Sequence, residues 1–476
     1  MVHVAIVGAY GSAGVATAGD LADVEGVELT LIDDGDPGGG LCILRGCMPS
    51  KEVLSAGAHR YQARADHRLT GVPEVDLEAV VETKEEHVQS FAEHRRESVH
   101  DLAGRESVEF VHGTARFVDD RTLAIDATEG PDRTIEPDYV VIATGSTVNV
   151  PNLPGIESVD FSTSADVLDA TEFPDSGVVM GFGYVGLELV PYLSEAGGMD
   201  LTVIEHDERP LDEADPAYGD EILDLYREEF DVEILTETSE QRVEQTDDGG
   251  VRLHVSDSND EGDPSGADRV IEADELFCFT GRRANVDALD LDKTTIEPGP
   301  GWVEDTMQSN DDERVFVVGD ANGKEPILHV AKEQGFQAAT NVLAHARGEP
   351  MEPYSNVRHH VVFSALGIYP YAVVGSSAAA AEQRDVEYVA VTREASDDGV
   401  FKTKDVPEGL ATLVVGADGT VLGYQGLHYH ADVMAKTMQV VIELGLDVRE
   451  LPDRAYHPTT PEILDGLFRD AAAELE

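Results

Sequence analysis

Two stretches of this 476-residue chain share one pattern: an apolar run of strand length, a glycine-rich turn, then helical periodicity. The first is HVAIVGAYGSAG (residues 3–14) and the second GVVMGFGYVG (177–186). Such turns let a buried strand pass abruptly into a helix whose first backbone amides face an anion. Each is followed, about 20 residues on, by a strand ending in carboxylates, LTLIDD and DLTVIE, as a ribose-binding unit requires. YVVIATG and RVFVVGD are further short buried runs that close on glycine. The duplication predicts parallel α/β layers with two dinucleotide sites. From about residue 350 the pattern changes: VRHHVVFS, EYVAVTRE, LATLVVGADGTVLGYQGL and the amphipathic ADVMAKTMQVVIELG predict an antiparallel sheet with helices.

The expected fold class is therefore α/β, with two Rossmann-like dinucleotide-binding domains and a C-terminal α+β domain. Residues 1–150 and 276–348 would form the first domain in two parts, 151–275 the second, and 349–476 the last. The polar run 255–268 (VSDSNDEGDPSGAD) reads as an acidic hairpin tip inside the second domain. A formal charge of −62, from 95 acidic and 33 basic residues, could signal disorder, but 41% of residues are hydrophobic and they cluster in compact runs. An acidic shell on a folded protein fits better, one whose self-repulsion is relieved at molar salt, where the Debye length is about 3 Å. That balance suits a protein of a salt-loving archaeon and disfavours nucleic acid and anionic membranes as partners. No long apolar run suggests a membrane span, and the N-terminus lacks the basic region of a signal peptide, so a cytoplasmic location is expected.

Residues 38–51, GGGLCILRGCMPSK, hold two of the three cysteines, Cys42 and Cys47. On a regular helix a five-residue step separates Cα atoms by about 8.6 Å, more than the roughly 7 Å a disulfide tolerates. The pair cannot both lie on one regular helix and be bonded. The glycines at 38–40 and Gly46 permit an irregular entry, Pro49 suits a first helical turn, and a helix N-terminus favours the thiolate of a redox-active pair. The spacing alone also admits two unrelated buried cysteines or half a zinc site. Zinc needs four ligands and no second cysteine pair exists, so no metal is expected. Cys278, alone in ELFCFTG, reads as core.

GGGLCILRGCMPSK closely resembles the GGTCxxxGCxPSK segment of the flavoprotein disulfide reductases, the pyridine nucleotide-disulfide oxidoreductases. Six motifs fall in that family's order over nearly the whole chain. The resemblance implies FAD in the first site, with Gly8, Gly11, Ser12 and Ala13 around its pyrophosphate. In the usual G-x-G-x-x-G/A spacing, Tyr10 then stands at the second glycine and Ala13 at the third. Asp33 would bind the ribose, with Asp34 as its rival, and Gly40 and Leu41 would line the redox loop. HGTARF would meet the adenine near Ala115, and VVIATGS, with Thr144 and Gly145, would cross between domains. Gly319 and Asp320 close RVFVVGD, where Asp320 would bond the ribityl chain; a helix N-cap is the lesser alternative. Leu328 and His329 open LHVAKEQG, which is similar to AHKAEDEG of dihydrolipoamide dehydrogenase.

The second glycine turn resembles the GxGYxxxE nicotinamide segment, with Gly181, Gly183, Tyr184, Val185 and Glu188, and Gly281 follows a later buried strand. Tyr184 would be a gate over the flavin and Glu188 would pair with Lys51 near flavin N5; without the family, these two read as solvated surface charges. Glu205 ends DLTVIE, where a carboxylate suits NADH, while His206 and Arg209 could hold the 2′-phosphate of NADPH. The functional resemblance leans to NADPH. His457 and Glu462 in HPTTPE resemble the family's acid–base pair, which reaches across a two-fold interface, implying a homodimer. Electrons would pass from nicotinamide to flavin to the Cys42–Cys47 disulfide. Cys47 would be the flavin-side thiolate, Cys42 would attack the substrate disulfide, and His457 would protonate the leaving thiolate.

For the substrate, mercuric ion is disfavoured because no cysteine follows Cys278. Glutathione reductase anchors its peptide through arginines at positions where this chain has Ala18 and Asn341. Bis-γ-glutamylcystine, the disulfide of a thiol used by halophilic archaea, has no glycine carboxylate to anchor and is the expected substrate. A dihydrolipoamide dehydrogenase and a non-catalytic flavin-binding sensor are the alternatives.

Overall fold

The computed structural model describes residues 1–257 and 269–476. The chain divides into two compact units: residues 1–49, 83–149 and 282–356 form one, and 50–82, 150–281 and 357–476 the other.

In the first unit a seven-stranded sheet runs Val315–Val317, Tyr139–Ile142, Val2–Val7, Val27–Asp33, Val108–Asp119, Thr122–Ala127, Arg133–Ile135. The first five pair in parallel and the last two turn back antiparallel. Val4 and Ile6 pack with Leu29, Leu31 and Phe316 on one face, while Ala5 and Val7 pack with Ile32, Phe117 and Trp302 on the other. Burial on both faces is why Val2–Val7 reads as a continuous apolar run rather than an alternating one. Val2–Val7 lies between Val27–Asp33, next in the chain, and Tyr139–Ile142, more than a hundred residues later. Such a reversal of strand order opens a crevice at the carboxyl ends of the strands. The helices Ser12–Leu21 and Leu328–Arg347 cover one face and approach so closely that a Cβ on Gly335 would lie 2.5 Å from the Ala13 carbonyl oxygen.

In the second unit four parallel strands run Glu233–Leu235, Asp200–Ile204, Ser176–Met180, Glu275–Cys278. Glu275–Cys278 therefore completes this sheet, and the expected boundary at 275/276 moves to 281/282. Beside it lie three antiparallel strands, Thr238–Gln245, Val251–Asp257 and Arg269–Ala273. Most of the expected acidic hairpin tip, residues 258–268, is outside the described residues. Residues 357–476 hold the antiparallel five-stranded sheet expected from the sequence, with the helix Ala431–Glu443 packed on it. Among the described residues no helix is long and apolar enough to cross a membrane.

Candidate active site

The two glycine turns are built alike, with one difference. Gly8 (φ +94°) and Gly181 (φ +95°) each follow the last residue of a central strand, and a Cβ on either would collide with a carbonyl oxygen just past the neighbouring strand, that of Ala143 and Phe279 respectively. Gly11 and Gly183 each cap the following helix, and a Cβ on Gly14 or Gly186, three residues further, would collide with the carbonyl of Gly8 or Gly181. Gly11 and Gly14 thus hold the second and third glycine places, which the spacing had given to Tyr10 and Ala13. The first turn is one residue longer, and Tyr10 is the additional residue. Its ring turns away from the helix start into a pocket with Phe110 and His100, and its hydroxyl lies 2.9 Å from His100 Nε2. Gly183 has open space beside it, the room a close diphosphate needs.

Asp33 ends its strand beneath the first turn. It accepts the Tyr10 amide at 2.8 Å and the Gly35 amide at 2.9 Å, while burial holds its carboxyl above the ordinary range. Asp34 instead accepts from Thr114, beside the buried Ala115. The strand-end carboxylate at the turn is Asp33. Two buried polar atoms here have no hydrogen-bond partner among the described residues: the Thr144 hydroxyl and His112 Nε2. Orphans of this kind belong to a cleft built for a polar ligand, and the glycine turn, Asp33 and these two atoms fit FAD.

Asp320 accepts from Ser146 Oγ at 2.6 Å, and Arg282 donates to Ser146 Oγ (2.9 Å) and to the Ser146 carbonyl (2.7 Å). The helix after Asp320 is capped by Ile327, so the N-cap reading of Asp320 falls away. Gly319, at φ +68°, donates its amide to Gln334 on that helix, whose first residues are Leu328 and His329. Arg282, Ser146 and His112 were missed from the sequence. A basic pair, Arg282-Arg283, directly after Gly281 in so acidic a chain was the available signal. Gly145 (φ +70°) and Gly281 (φ +84°) both adopt the left-handed backbone with open space at Cβ.

Leu41–Leu44 forms one helical turn, Arg45 breaks it at φ −144°, and a new helix runs Cys47–Ala65. A Cβ on Gly46 would lie 3.1 Å from the Cα of Cys42, so the glycine lets the chain double back against the first cysteine. Gly40, at φ +78°, enters the turn 3.1 Å (from its ideal Cβ) to the Cα of Gly11. The redox segment therefore abuts the first glycine turn. Cys42 is partly exposed and Cys47 exposed. Cys278 is buried, its Sγ 3.1 Å from Thr280 Oγ1, and burial pushes its pKa up. Alkylation of the reduced protein with iodoacetamide should accordingly label Cys42 and Cys47 and spare Cys278, as peptide mapping would show; labelling of Cys278 at a comparable rate would contradict its assignment to the core.

In the second unit Lys51 Nζ bonds both Glu188 oxygens at 2.7 and 2.8 Å and stands 4.3 Å from the centre of the Phe363 ring. Their side chains are only 32% and 18% exposed, so the reading as two solvated charges fails. Tyr184 opens the helix Tyr184–Glu195, with Val185 partly buried behind it, and the exposed Tyr184 ring meets His360 edge-on. Glu205 is partly buried and accepts the Asp207 amide, and burial raises its carboxyl. His206 is bonded to Glu240 at 2.6 Å, which raises its pKa, and Arg209 is held by Asp220 and Glu208. Both cations considered for a 2′-phosphate are thus already matched by carboxylates. His457 Nδ1 lies 3.0 and 3.1 Å from the Glu462 oxygens, and Glu462 also accepts the Thr459 amide.

Known proteins resemble the chain along its whole length. Residues 2–335 match the family described as pyridine nucleotide-disulphide oxidoreductase, and residues 360–467 match that family's dimerisation domain. A mercuric reductase of Shigella flexneri is 28% identical over 98% of this chain and 79% of its own. A dihydrolipoyl dehydrogenase of Haloferax volcanii is 28% identical over 92% of this chain and 90% of its own. Among solved structures, the flavoprotein disulfide reductase RclA of Escherichia coli superposes with TM-score 0.81 at 21% identity, covering 98% of this chain and 99% of that one. LpdA of Mycobacterium tuberculosis gives 0.81 at 22% identity over the full length of both. With both family regions matched in order, and the paired cysteines and two glycine turns in place, the chain belongs to the pyridine nucleotide-disulphide oxidoreductase family.

Proposed function

We propose that this enzyme, whose family works with FAD and NAD(P)H, reduces a small-molecule disulfide, bis-γ-glutamylcystine, and takes its electrons from NADH. The observation that carries the disulfide chemistry is the redox segment: Cys42 and Cys47 flank a helix break at Gly46 that brings the chain back on itself, with Cys47 at the head of a helix. Bound FAD would supply the two-electron relay between nicotinamide and sulfur. Cys42 would attack the substrate disulfide, Cys47 would close back on it to release the second thiol, and His457 would hand a proton to the leaving sulfur. Lys51, fixed by Glu188, would place a positive charge at the flavin edge. The family's dimerisation domain supports a homodimer in which His457 acts on the partner's cysteines.

Neither Ala18 nor Asn341 presents a charge to a glycine carboxylate. Both are fully buried, and the Asn341 amide is committed to the backbone of Thr306 and Glu352. The acidic rim around Glu205 favours NADH. Since burial raises the Glu205 carboxyl, it should protonate at higher pH than an ordinary glutamate. The NADH-over-NADPH preference should then shrink as pH falls, and Glu205→Gln should reduce it about tenfold at neutral pH, the worth of one charged hydrogen bond. Ratios of kcat/KM for the two donors across pH measure this. A turnover panel at molar salt with bis-γ-glutamylcystine, glutathione disulfide, lipoamide and mercuric ion tests the assignment. Bis-γ-glutamylcystine with NADH should lead; a lead for lipoamide would overturn the substrate, and a lead for NADPH the donor.

A further inference from the structure

We propose that Arg95, on the helix Leu77–Ala103, binds the diphosphate of FAD and offsets the one-residue enlargement of the first glycine turn. The insertion of Tyr10 lengthens the path from Gly8 to the helix start and sends the added side chain away toward His100 and Phe110. What the insertion leaves at the helix start is the Tyr10 carbonyl, and Arg95 reaches it: Nη1 donates to Tyr10 O at 3.1 Å and lies 3.4 Å from Ser12 Oγ. Arg96 beside it donates to the Gly38 carbonyl at 3.2 Å, on the loop that leads to the redox segment.

Acidic residues outnumber basic ones 95 to 33 in this chain, and most arginines have a carboxylate partner. Arg95 and Arg96 have none among the described residues and bond only carbonyl and hydroxyl oxygens. A half-buried guanidinium with neutral partners retains unused donors and an unbalanced charge. The first-turn amides and the dipole of the helix Ser12–Leu21 add positive potential at the same place. The loop opposite offers Leu41, which has no hydroxyl, where the resembling segment reads threonine. A dianionic diphosphate at the start of this helix would meet Ser12, the amides and Arg95 together. The Cys42 thiolate is the other anion within electrostatic reach of Arg95, and burial otherwise lowers the arginine's pKa. Arg95's hydrogen bonds run to the glycine turn, and they favour the diphosphate.

The inference rests on FAD as the cofactor; a parent protein purified colourless would remove that basis, whereas a yellow parent isolates the question of Arg95. The experiment compares the parent, Arg95→Gln and Arg95→Lys holoproteins by FAD release on dilution, followed as flavin fluorescence, and by ³¹P NMR of the bound cofactor. Arg95→Gln should raise the FAD dissociation constant at least tenfold and displace a diphosphate resonance. Arg95→Lys, which keeps the charge but not the fork, should fall between the two. A dissociation constant within twofold of the parent would overturn the proposal. So would a lowered unfolding midpoint with unchanged ³¹P shifts, which would make Arg95 a brace for Tyr10. A slower reaction of the reduced protein with iodoacetamide at unchanged FAD retention would reassign Arg95 to Cys42. If Arg95→Gln does not accumulate as folded protein, Arg95→Lys decides by the same two readings.

Discussion

Cys47→Ser should lower disulfide turnover by on the order of 10³-fold or more, the scale of losing a catalytic nucleophile, and leave the protein yellow. The cysteine heads the helix Cys47–Ala65 and is exposed, where a helix N-terminus favours its thiolate. Serine has nearly the same shape, so the break at Arg45–Gly46 and the flavin unit beyond it should persist. The hydroxyl cannot store electrons, and reducing equivalents would stop at the flavin. Cys42→Ser should be equally inactive but should behave differently under anaerobic reduction. It retains the sulfur assigned to the flavin side, so a long-wavelength absorbance band should survive in Cys42→Ser and vanish in Cys47→Ser. Stopped-flow spectra with NADH, followed by disulfide addition, read both. Full turnover in either variant would dissolve the redox assignment, and exchange of the two spectra would reverse the roles of the sulfurs. A flavin-binding sensor with no turnover would show no dithiol-dependent rate in the parent.

How much of this was legible in the sequence depends on how local each signal is. Strand, glycine and helix follow one another within a dozen residues, so both nucleotide turns and the parallel layers could be read directly. Helix geometry required a break between the cysteines only if they are bonded, and the glycines that permit one were legible; the break is there. The extra residue in the first turn was not readable, because counting from Gly8 does not say where the helix begins; only the capping position of Gly11 and the crowding at Gly14 do. Contacts distant in sequence were not readable from the residues themselves. Lys51 and Glu188 stand 137 positions apart and were paired only through the resemblance, while Ser146 meets Asp320 across 174. The distant carboxylates that engage His206 and Arg209 lie on other elements: the strand Thr238–Gln245 for Glu240 and the helix Pro216–Glu229 for Asp220. The 275/276 boundary failed for the same reason, since only strand pairing assigns Glu275–Cys278 to its sheet.

His457→Ala should slow disulfide reduction by about 10²- to 10⁴-fold, the usual range for loss of a general acid–base, without changing the rate at which NADH reduces the flavin. The split follows from geometry. Glu462 engages Nδ1, which assigns the proton to that nitrogen and leaves Nε2 to act on sulfur. His457 is 80% exposed, as a group must be if it serves a cleft completed by another molecule. Glu462 is lowered by the bond to His457 first and the Thr459 amide second, so it stays ionised to lower pH than an ordinary glutamate. Whatever the pair contributes to stability is therefore present above the ordinary glutamate pKa and is lost only as pH drops through the depressed value. Glu462→Gln keeps the shape and removes the charge that steadies the imidazolium; about a tenfold loss is expected, in the disulfide half-reaction alone. Mixing inactive His457→Ala with inactive Cys42→Ser subunits should restore part of the activity, because a mixed dimer holds one intact cysteine pair facing one intact histidine. If the mixture stays inactive after verified subunit exchange, His457 serves its own subunit or none, and the interface reading is wrong. If His457→Ala instead slows flavin reduction by NADH, the histidine belongs to the nicotinamide half of the cycle.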